Sequence, residues 1–281
     1  MKENIDLFAI AKNTDCSLLH YFGQKDDDIV SDINYGNNNG NYVTADDTQI
    51  YYEIYGSGEP LLVLHGGGVG CTYEMGRFID KLSKNYLVIA PSTRGQGKSY
   101  IGEKAITYEQ KANDMMAVVN KVTDKKITIL GFSDGAYTAY KIAAMYPNKV
   151  NKVIAIGAGE NIPNLRQIPK ATLEDIAKID ARFIKEKIAL CPEPHKLQDF
   201  LNRYFTFFNE ELISKELFNQ IQCPVLLIAG ERDTHAPLDT MINAYKMILN
   251  AQLAIIPKAP HQVFITDFDP VWIHVEKFLK A

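Results

Sequence analysis

The pentapeptide Gly131-Phe132-Ser133-Asp134-Gly135 joins the apolar run Ile127-Thr128-Ile129-Leu130 directly to the helix-like stretch Ala136 to Met145. Two glycines around a serine permit a backbone bend that most residues cannot make, and such a strand–turn–helix bend lifts the serine Oγ clear of the sheet edge. Ser133 is thereby a candidate nucleophile. The plainer reading is a glycine-bracketed turn with a serine cap, and only the rest of the chain separates the two.

A serine hydroxyl is a weak nucleophile at neutral pH. It needs an imidazole to take its proton and a carboxylate to hold that imidazole in the right tautomer. The run Pro224-Val225-Leu226-Leu227-Ile228-Ala229 reads as a buried parallel strand and ends in Gly230-Glu231-Arg232-Asp233. Asp233 then lies in a loop beyond a strand's carboxyl end, where open α/β sheets carry their sites. A helical segment, Leu238 to Leu249, and a short strand, Leu253 to Ile256, precede Pro260-His261-Gln262, which puts His261 in a second such loop. Glu231 is the rival acid and His235 the rival base, since both follow the same strand as Asp233. His20, His195 and His274 fall in the amino-terminal extension, the inserted region and the last helix, and read as solvated or core side chains.

Oxyanion stabilisation is the remaining requirement. Leu61-Leu62-Val63-Leu64 runs into His65-Gly66-Gly67-Gly68, a glycine loop that lets backbone N–H groups approach a substrate carbonyl. The N–H groups of Gly67 and of Asp134, the residue after the nucleophile, are the expected donors. Gly66, Gly68 and Phe132 are expected to contact substrate. The Asp134 carboxylate has two readings: it favours a helix amino terminus by roughly 0.3–1 kcal/mol, or it faces the pocket and selects cationic substrates such as amino-acid esters.

On these residues the chain resembles α/β-hydrolase-fold proteins of the lid-bearing esterase type. The resemblance spans roughly residues 48 to 281 and rests on Leu64-His65-Gly66-Gly67, Arg94-Gly95-Gln96-Gly97-Lys98-Ser99, the Ser133 pentapeptide, Gly230 to Pro237 and the His261 loop. The pentapeptide is similar to those of biphenyl-hydrolase-like and related small-ester hydrolases. The chain order Ser133, Asp233, His261 also matches that fold. Two positions depart from the family: Ser92 stands where aspartate is usual, and Pro260 where glycine precedes the histidine. A fixed φ at Pro260 implies a different route for the His261 loop, and Ser92 implies different anchoring of the Arg94 loop.

Strand-like Tyr42-Val43-Thr44 and Gln49 to Tyr55 alternate in polarity and suit an antiparallel start to a sheet. Thereafter strands and helices alternate through Lys152 to Ile156, the sixth strand, which predicts an α/β fold with a mostly parallel sheet covered by helices. Between Gly157 and Gln222 no strand is expected; Leu173 to Lys187, Lys196 to Phe208 and Glu210 to Asn219 read as helices. The expected division is an extension over 1–40, a core over 41–157 and 222–281, and a helical lid over 158–221. Phe183, Phe200, Tyr204, Phe205, Phe207 and Phe208 make that lid aromatic, most of them packing on the core and one or two free to line a pocket. Tyr73 and Met75 are further pocket candidates. Ile5 to Phe22 reads as one amphipathic helix, and Asn37-Asn38-Asn39-Gly40 as linker. Docking beside the lid, pairing into a homodimer and partial mobility are all open for the extension.

At 281 residues and 46% hydrophobic, the chain can bury a large core. Its net charge of −4 supplies no basic footprint for nucleic acid. No apolar stretch approaches the ~18 residues of a membrane span, and Met1 to Asp6 lacks a secretory apolar region, so a cytoplasmic setting is expected. Cys16, Cys71, Cys191 and Cys223 show no ligand spacing and read as free thiols, with no metal implied. Gly97-Lys98-Ser99 lacks the leading glycine of a phosphate loop where Ser92 stands. Gly66 to Cys71 fails the dinucleotide fingerprint at Cys71. No cofactor is implied, and the expected partner is a small ester or related acyl compound. The expected chemistry is acyl transfer through Ser133. Lactone, thioester or C–C hydrolysis, or ligand reception with slow turnover, are the alternatives on the same residues.

Overall fold

Runs such as Leu61-Leu62-Val63-Leu64 and Val225 to Gly230 are apolar without alternation, so they fit only where both faces of a strand are covered. The computed structural model, which describes residues 7–281 except 29, 163, 166 and 167, places both inside one eight-stranded sheet with a strand on either side. The strands are β1 Asn41–Ala45, β2 Thr48–Tyr55, β3 Glu59–Leu64, β4 Tyr86–Pro91, β5 Ile127–Phe132, β6 Val150–Ile156, β7 Val225–Gly230 and β8 Ala251–Ile256, in spatial order 1-2-4-3-5-6-7-8. β1 pairs antiparallel with β2, and β2 antiparallel with β4; every later pairing is parallel. The carboxyl ends of β3, β5, β7 and β8 therefore share one sheet edge. That common edge brings the glycine loop, Ser133, Asp233 and His261 together.

In chain order the helices are α1 Leu7–Ala11, α2 Gly76–Leu82, α3 Tyr108–Val122, α4 Asp134–Met145, α5 Leu173–Ile179, α6 Ala181–Leu190, α7 Leu197–Glu210, α8 Lys215–Phe218, α9 Leu238–Met247, α10 Val263–Thr266 and α11 Phe268–Lys280. Two apolar clusters cover the two faces of the sheet. One joins Leu62, Leu64 and Ile129 to α3, α4 and the aromatic side of α7. The other joins Leu61, Val63 and Leu130 to Phe78, Phe264 and Phe268 of α2, α10 and α11. Burying one such aromatic contributes about 1.5–3 kcal/mol.

Local chemistry corrects several expected boundaries. The stretch from Leu173 is broken at Asp180, whose carboxylate leaves helical conformation to accept the Phe183 N–H at 2.9 Å and start α6. Glu210 ends α7 instead of beginning a helix, and only the single turn α8 follows. The long amino-terminal helix does not form. Its expected start at Ile5, like the Met1 to Asp6 reading, lies outside the described residues; the described helix stops at Ala11, before a turn at Lys12-Asn13.

Beyond that turn the chain is tied down by long-range polar contacts that no helix would allow. Asn34 and Asn37 side-chain amides both donate to the Cys16 carbonyl, and the Glu53 carboxylate accepts the Gly36 and Asn38 N–H groups. Tyr21 and Tyr35 are buried in the second apolar cluster. His20 sits between two carboxylates of the inserted helices, with Nδ1 at 2.9 Å from Glu186 and Nε2 at 3.1 Å from Asp180. Burial works against the imidazolium, but the hydrogen bonds to Glu186 and Asp180 outweigh it and hold the His20 pKa above its ordinary 6.5.

A raised histidine pKa stabilises the fold fully below the ordinary value and loses that effect as pH climbs through the raised one. His20→Gln should therefore lose about 1.5–3 kcal/mol near pH 6, the range for hydrogen bonds to charged groups. Its deficit against wild type should shrink steadily toward pH 9. Denaturant unfolding of both proteins across that range measures it, and a deficit that grows with pH would refute the clamp.

Candidate active site

Ser133 caps α4 at φ 51° and ψ −116°, a left-handed region that a side chain enters only at a cost on the order of 1–3 kcal/mol. Its neighbours explain how the bend is held. A Cβ on Gly131 would lie 2.5 Å from the Gly135 carbonyl oxygen, and one on Gly135 would lie 2.5 Å from the Leu64 and His65 carbonyl oxygens. Only glycine allows α4 to start so close to β3. The Ser133 N–H donates to the Ile156 carbonyl at 2.8 Å, which locks the bend to the end of β6.

The side chain reaches His261, whose Nε2 lies 3.0 Å from Ser133 Oγ; the other ring nitrogen, Nδ1, lies 2.7 Å from Asp233 Oδ2. Asp233 Oδ1 accepts the N–H groups of His235 and Ala236 at 2.7 and 2.8 Å. Burial pushes the Asp233 pKa up, but the bond to His261 and those two N–H donors prevail and hold it below the usual carboxylate value. It is thus a fixed negative charge behind the imidazole. Pro260 does not carry His261 away. The Ala259 carbonyl accepts the Arg232 N–H at 2.9 Å and the Glu231 carboxylate accepts the Lys258 N–H at 2.7 Å, so the loop is tied to the end of β7.

Glu231, the rival acid, is exposed and occupied by that amide. His235, the rival base, stacks on His261 with ring centroids 4.8 Å apart. One ligand atom from each of Asp233, His235 and His261 falls within a 4.8 Å group. His195 and His274 are exposed, away from this row, and His20 is in its clamp.

Gly66, Gly67, Gly68 and Phe132 line one cavity of about 350 Å³ together with Ser133 and His261. The Phe132 ring packs against His261 and Phe264, each at 4.9 Å. The Gly66 N–H is already engaged by the Glu74 carboxylate at 2.5 Å. Among the described residues no partner takes the Gly67 or Asp134 N–H. The inserted helices supply Tyr204, Phe205 and Phe208 to the same cavity, while Phe207 packs on Tyr108 at 4.9 Å and Phe200 covers Gly95. Tyr73 and Met75, expected at the pocket, are instead buried in the core beside α2.

Three groups shape the site without having been singled out from sequence. His65 is fully buried, which pushes its pKa down to about 4 and keeps it neutral. Its Nε2 accepts the Thr93 N–H at 3.0 Å, so Nδ1 carries the proton and donates to the Gly66 carbonyl at 2.6 Å, fixing the glycine loop. Glu74 lines the cavity, and burial pushes its pKa up to about 8. Lys111 of α3 forms a buried ion pair with the Asp134 carboxylate, roofed by the rings of Tyr108, Tyr204 and Phe207 at 5.5 to 5.9 Å. The Asp134 charge is thus met inside the protein and does not face the cavity as a cation selector. Adjacency to the glycine loop was the available signal for His65 and Glu74; Lys111 gave none.

Ser92, the other departure, leaves its loop anchored. Its backbone takes the Ser99 hydroxyl at 2.6 Å, its Oγ lies 3.1 Å from Thr72 Oγ1, and Arg94 holds Asp114 through two bonds of 2.8 and 2.9 Å.

A serine hydroxyl, imidazole and carboxylate in hydrogen-bonded sequence at the carboxyl edge of a parallel sheet define the layout of a serine hydrolase. A profile of the alpha/beta hydrolase fold matches residues 59–206, and the chain belongs to that family of hydrolases. It is 26% identical over 249 residues to serine hydrolase BPHL of Homo sapiens, covering 85% of each chain. It is 23% identical over 268 residues to the 2-hydroxy-6-oxo-6-(2'-aminophenyl)hexa-2,4-dienoic acid hydrolase of Metapseudomonas resinovorans, covering 85% of this chain and 88% of that one. Among solved structures, a serine hydrolase involved in carbazole degradation superposes with a TM-score of 0.72 at 21% identity, over 86% of this chain and 98% of that one, which speaks to the fold alone. Among the described residues no helix is long and apolar enough to cross a membrane.

Proposed function

We propose that the chain hydrolyses small carboxylic esters through an acyl-enzyme on Ser133. The observation that carries this reading is the unbroken row from Asp233 Oδ2 to His261 Nδ1 and from His261 Nε2 to Ser133 Oγ, at 2.7 and 3.0 Å, inside the cavity. Ser133 Oγ attacks the ester carbonyl as His261 Nε2 takes its proton. The imidazolium, stabilised by Asp233, returns that proton to the leaving alkoxide. The N–H groups of Gly67 and Asp134 receive the oxyanion. Water, deprotonated by His261, then attacks the acyl-enzyme and releases the acid with Ser133 restored. In this reading residues 158–221 act as a lid over the site, no metal or cofactor takes part, and the setting is cytoplasmic, which suits four free thiols.

Carbon–carbon bond hydrolysis of a dienoate, the activity named for the Metapseudomonas relative, is less well supported. Its substrate carries a carboxylate, and among the described lining residues none is Lys or Arg. Lys111 is committed to Asp134 and Arg94 to Asp114 and Asp47, so neither is free to meet that carboxylate. Hydrolysis of p-nitrophenyl esters from acetate to decanoate tests the proposal. Multiple turnovers with an optimum at short or medium chains are expected from a cavity of this size; no turnover on any of them would overturn it.

A further inference from the structure

Among the described residues of the amino-terminal segment, one side chain meets the cavity. Phe22 contributes to the lining, although it belongs to neither the sheet nor the inserted helices. We propose that Phe22 is a specificity-determining wall of the substrate cavity, set in place by a clamp between the preceding segment and α6. The identity of the acyl substrate in the test rests on the ester reading above, but the wall itself does not.

The argument for a built wall is the density of polar contacts on either side of Phe22. On one side His20 is held by its backbone N–H and both ring nitrogens, to Glu186 and Asp180. On the other the Gly23 N–H donates to Asp180 Oδ2 at 2.9 Å. One carboxylate therefore grips the chain two residues before and one residue after the aromatic residue. Arg182 extends the grip, with its Nη2 donating to the Leu18 carbonyl and its Nε to Glu186, both at 2.9 Å. The Phe22 ring stands edge-on to Phe183 at 5.6 Å, and Phe183 in turn stands edge-on to His20 at 6.1 Å.

Chain held at Leu18, His20 and Gly23 loses little further entropy when substrate arrives, so Phe22 presents a fixed surface instead of closing on the ligand. A wall fixed this way limits length or bulk. One methylene too many or too few in a rigid apolar pocket is worth about 10–200-fold in discrimination. Phe22→Ala removes the ring from the cavity wall, and Phe22→Trp enlarges it.

Wild type, Phe22→Ala and Phe22→Trp are compared in two assays. The first is thermal stabilisation by straight-chain carboxylic acids from butyrate to decanoate, which needs no turnover. The second is kcat/KM on the matching p-nitrophenyl esters. Phe22→Ala should move the preferred chain length upward, with the decanoate-to-butyrate ratio rising at least about tenfold, and Phe22→Trp should move it downward. Phe22→Leu serves in place of alanine if the latter does not fold. The same chain-length preference in all three proteins, or a uniform loss across all lengths, would overturn the wall. Acid binding that shifts as described in proteins that turn over no ester would uphold the wall and remove the ester reading instead.

Discussion

Ser133→Ala is expected to lower kcat on ester substrates on the order of 10⁶-fold, with KM changed little. The size follows from the arrangement. His261 Nε2 lies 3.0 Å from Ser133 Oγ, the hydroxyl it deprotonates, and alanine leaves the imidazole water to activate in its place. Substrate still enters the same cavity, because the hydroxyl contributes little of the lining, and the oxyanion donors are backbone groups that the substitution does not touch. A residual rate above water is therefore expected from positioning and oxyanion binding alone. Alanine should also tolerate the Ser133 conformation no worse than serine, since both carry a Cβ at φ 51°. Unchanged thermal unfolding together with abolished turnover is the predicted signature, and retained turnover would remove Ser133 from the reaction.

The second large effect is expected from Asp233→Asn, at about 10⁴-fold in kcat. The carboxylate has two separate duties. Oδ1 takes the His235 and Ala236 N–H groups and shapes the loop after β7, and Oδ2 takes the His261 Nδ1 proton. An asparagine oxygen can satisfy the two backbone donors, so the loop keeps its form. The amide nitrogen then faces Nδ1 as a donor, which forces the neutral ring to carry its proton on Nε2. A protonated Nε2 cannot accept from Ser133. Removing the negative charge also leaves the imidazolium without its counter-ion in a buried position. Steady-state kinetics with thermal unfolding as a control measures this, and a loss below about tenfold in a well-folded variant would show that Asp233 does not set the tautomer.

The parts of the site legible in the sequence were those written locally. Glycines flanking Ser133, a glycine run after β3 and two polar loops after β7 and β8 each follow an apolar strand, and a parallel sheet turns those separate ends into one edge. The mostly parallel sheet was legible from alternating β and α segments, whereas its strand order was not read. Helix ends were read less well, because a single carboxylate decided them. Asp180 resembles any surface acid in sequence, yet it breaks the α5–α6 run by capping Phe183 and at the same time holds His20 and Gly23.

What was not legible depends on contacts between distant residues. Glu186 meets His20 across 166 positions, and Lys111 meets Asp134 across 23, with nothing periodic in either stretch to announce the pair. Of the two readings of Asp134, the place at a helix amino terminus stands, while the cation-selecting one meets the lysine of a neighbouring helix that already occupies the carboxylate. The amino-terminal segment was misread as helix because Ile5 to Phe22 contains enough apolar residues to suggest one. Asp15 instead accepts the nearby Ser17 N–H, the ordinary behaviour of that side chain, and Asn34 holds the Cys16 carbonyl from 18 residues further on. The same polar ties then fix the segment across the inserted helices.

The central claim is that Ser133, activated through His261, is the nucleophile. Its most direct test is labelling with an alkyl fluorophosphonate, followed by mass spectrometry of the intact protein and of its peptides. The account predicts one phosphonyl group per chain, on the peptide containing Ser133, with activity lost in proportion to labelling and no label on Ser133→Ala. Full labelling that leaves activity intact, or a label carried by another residue, would contradict it.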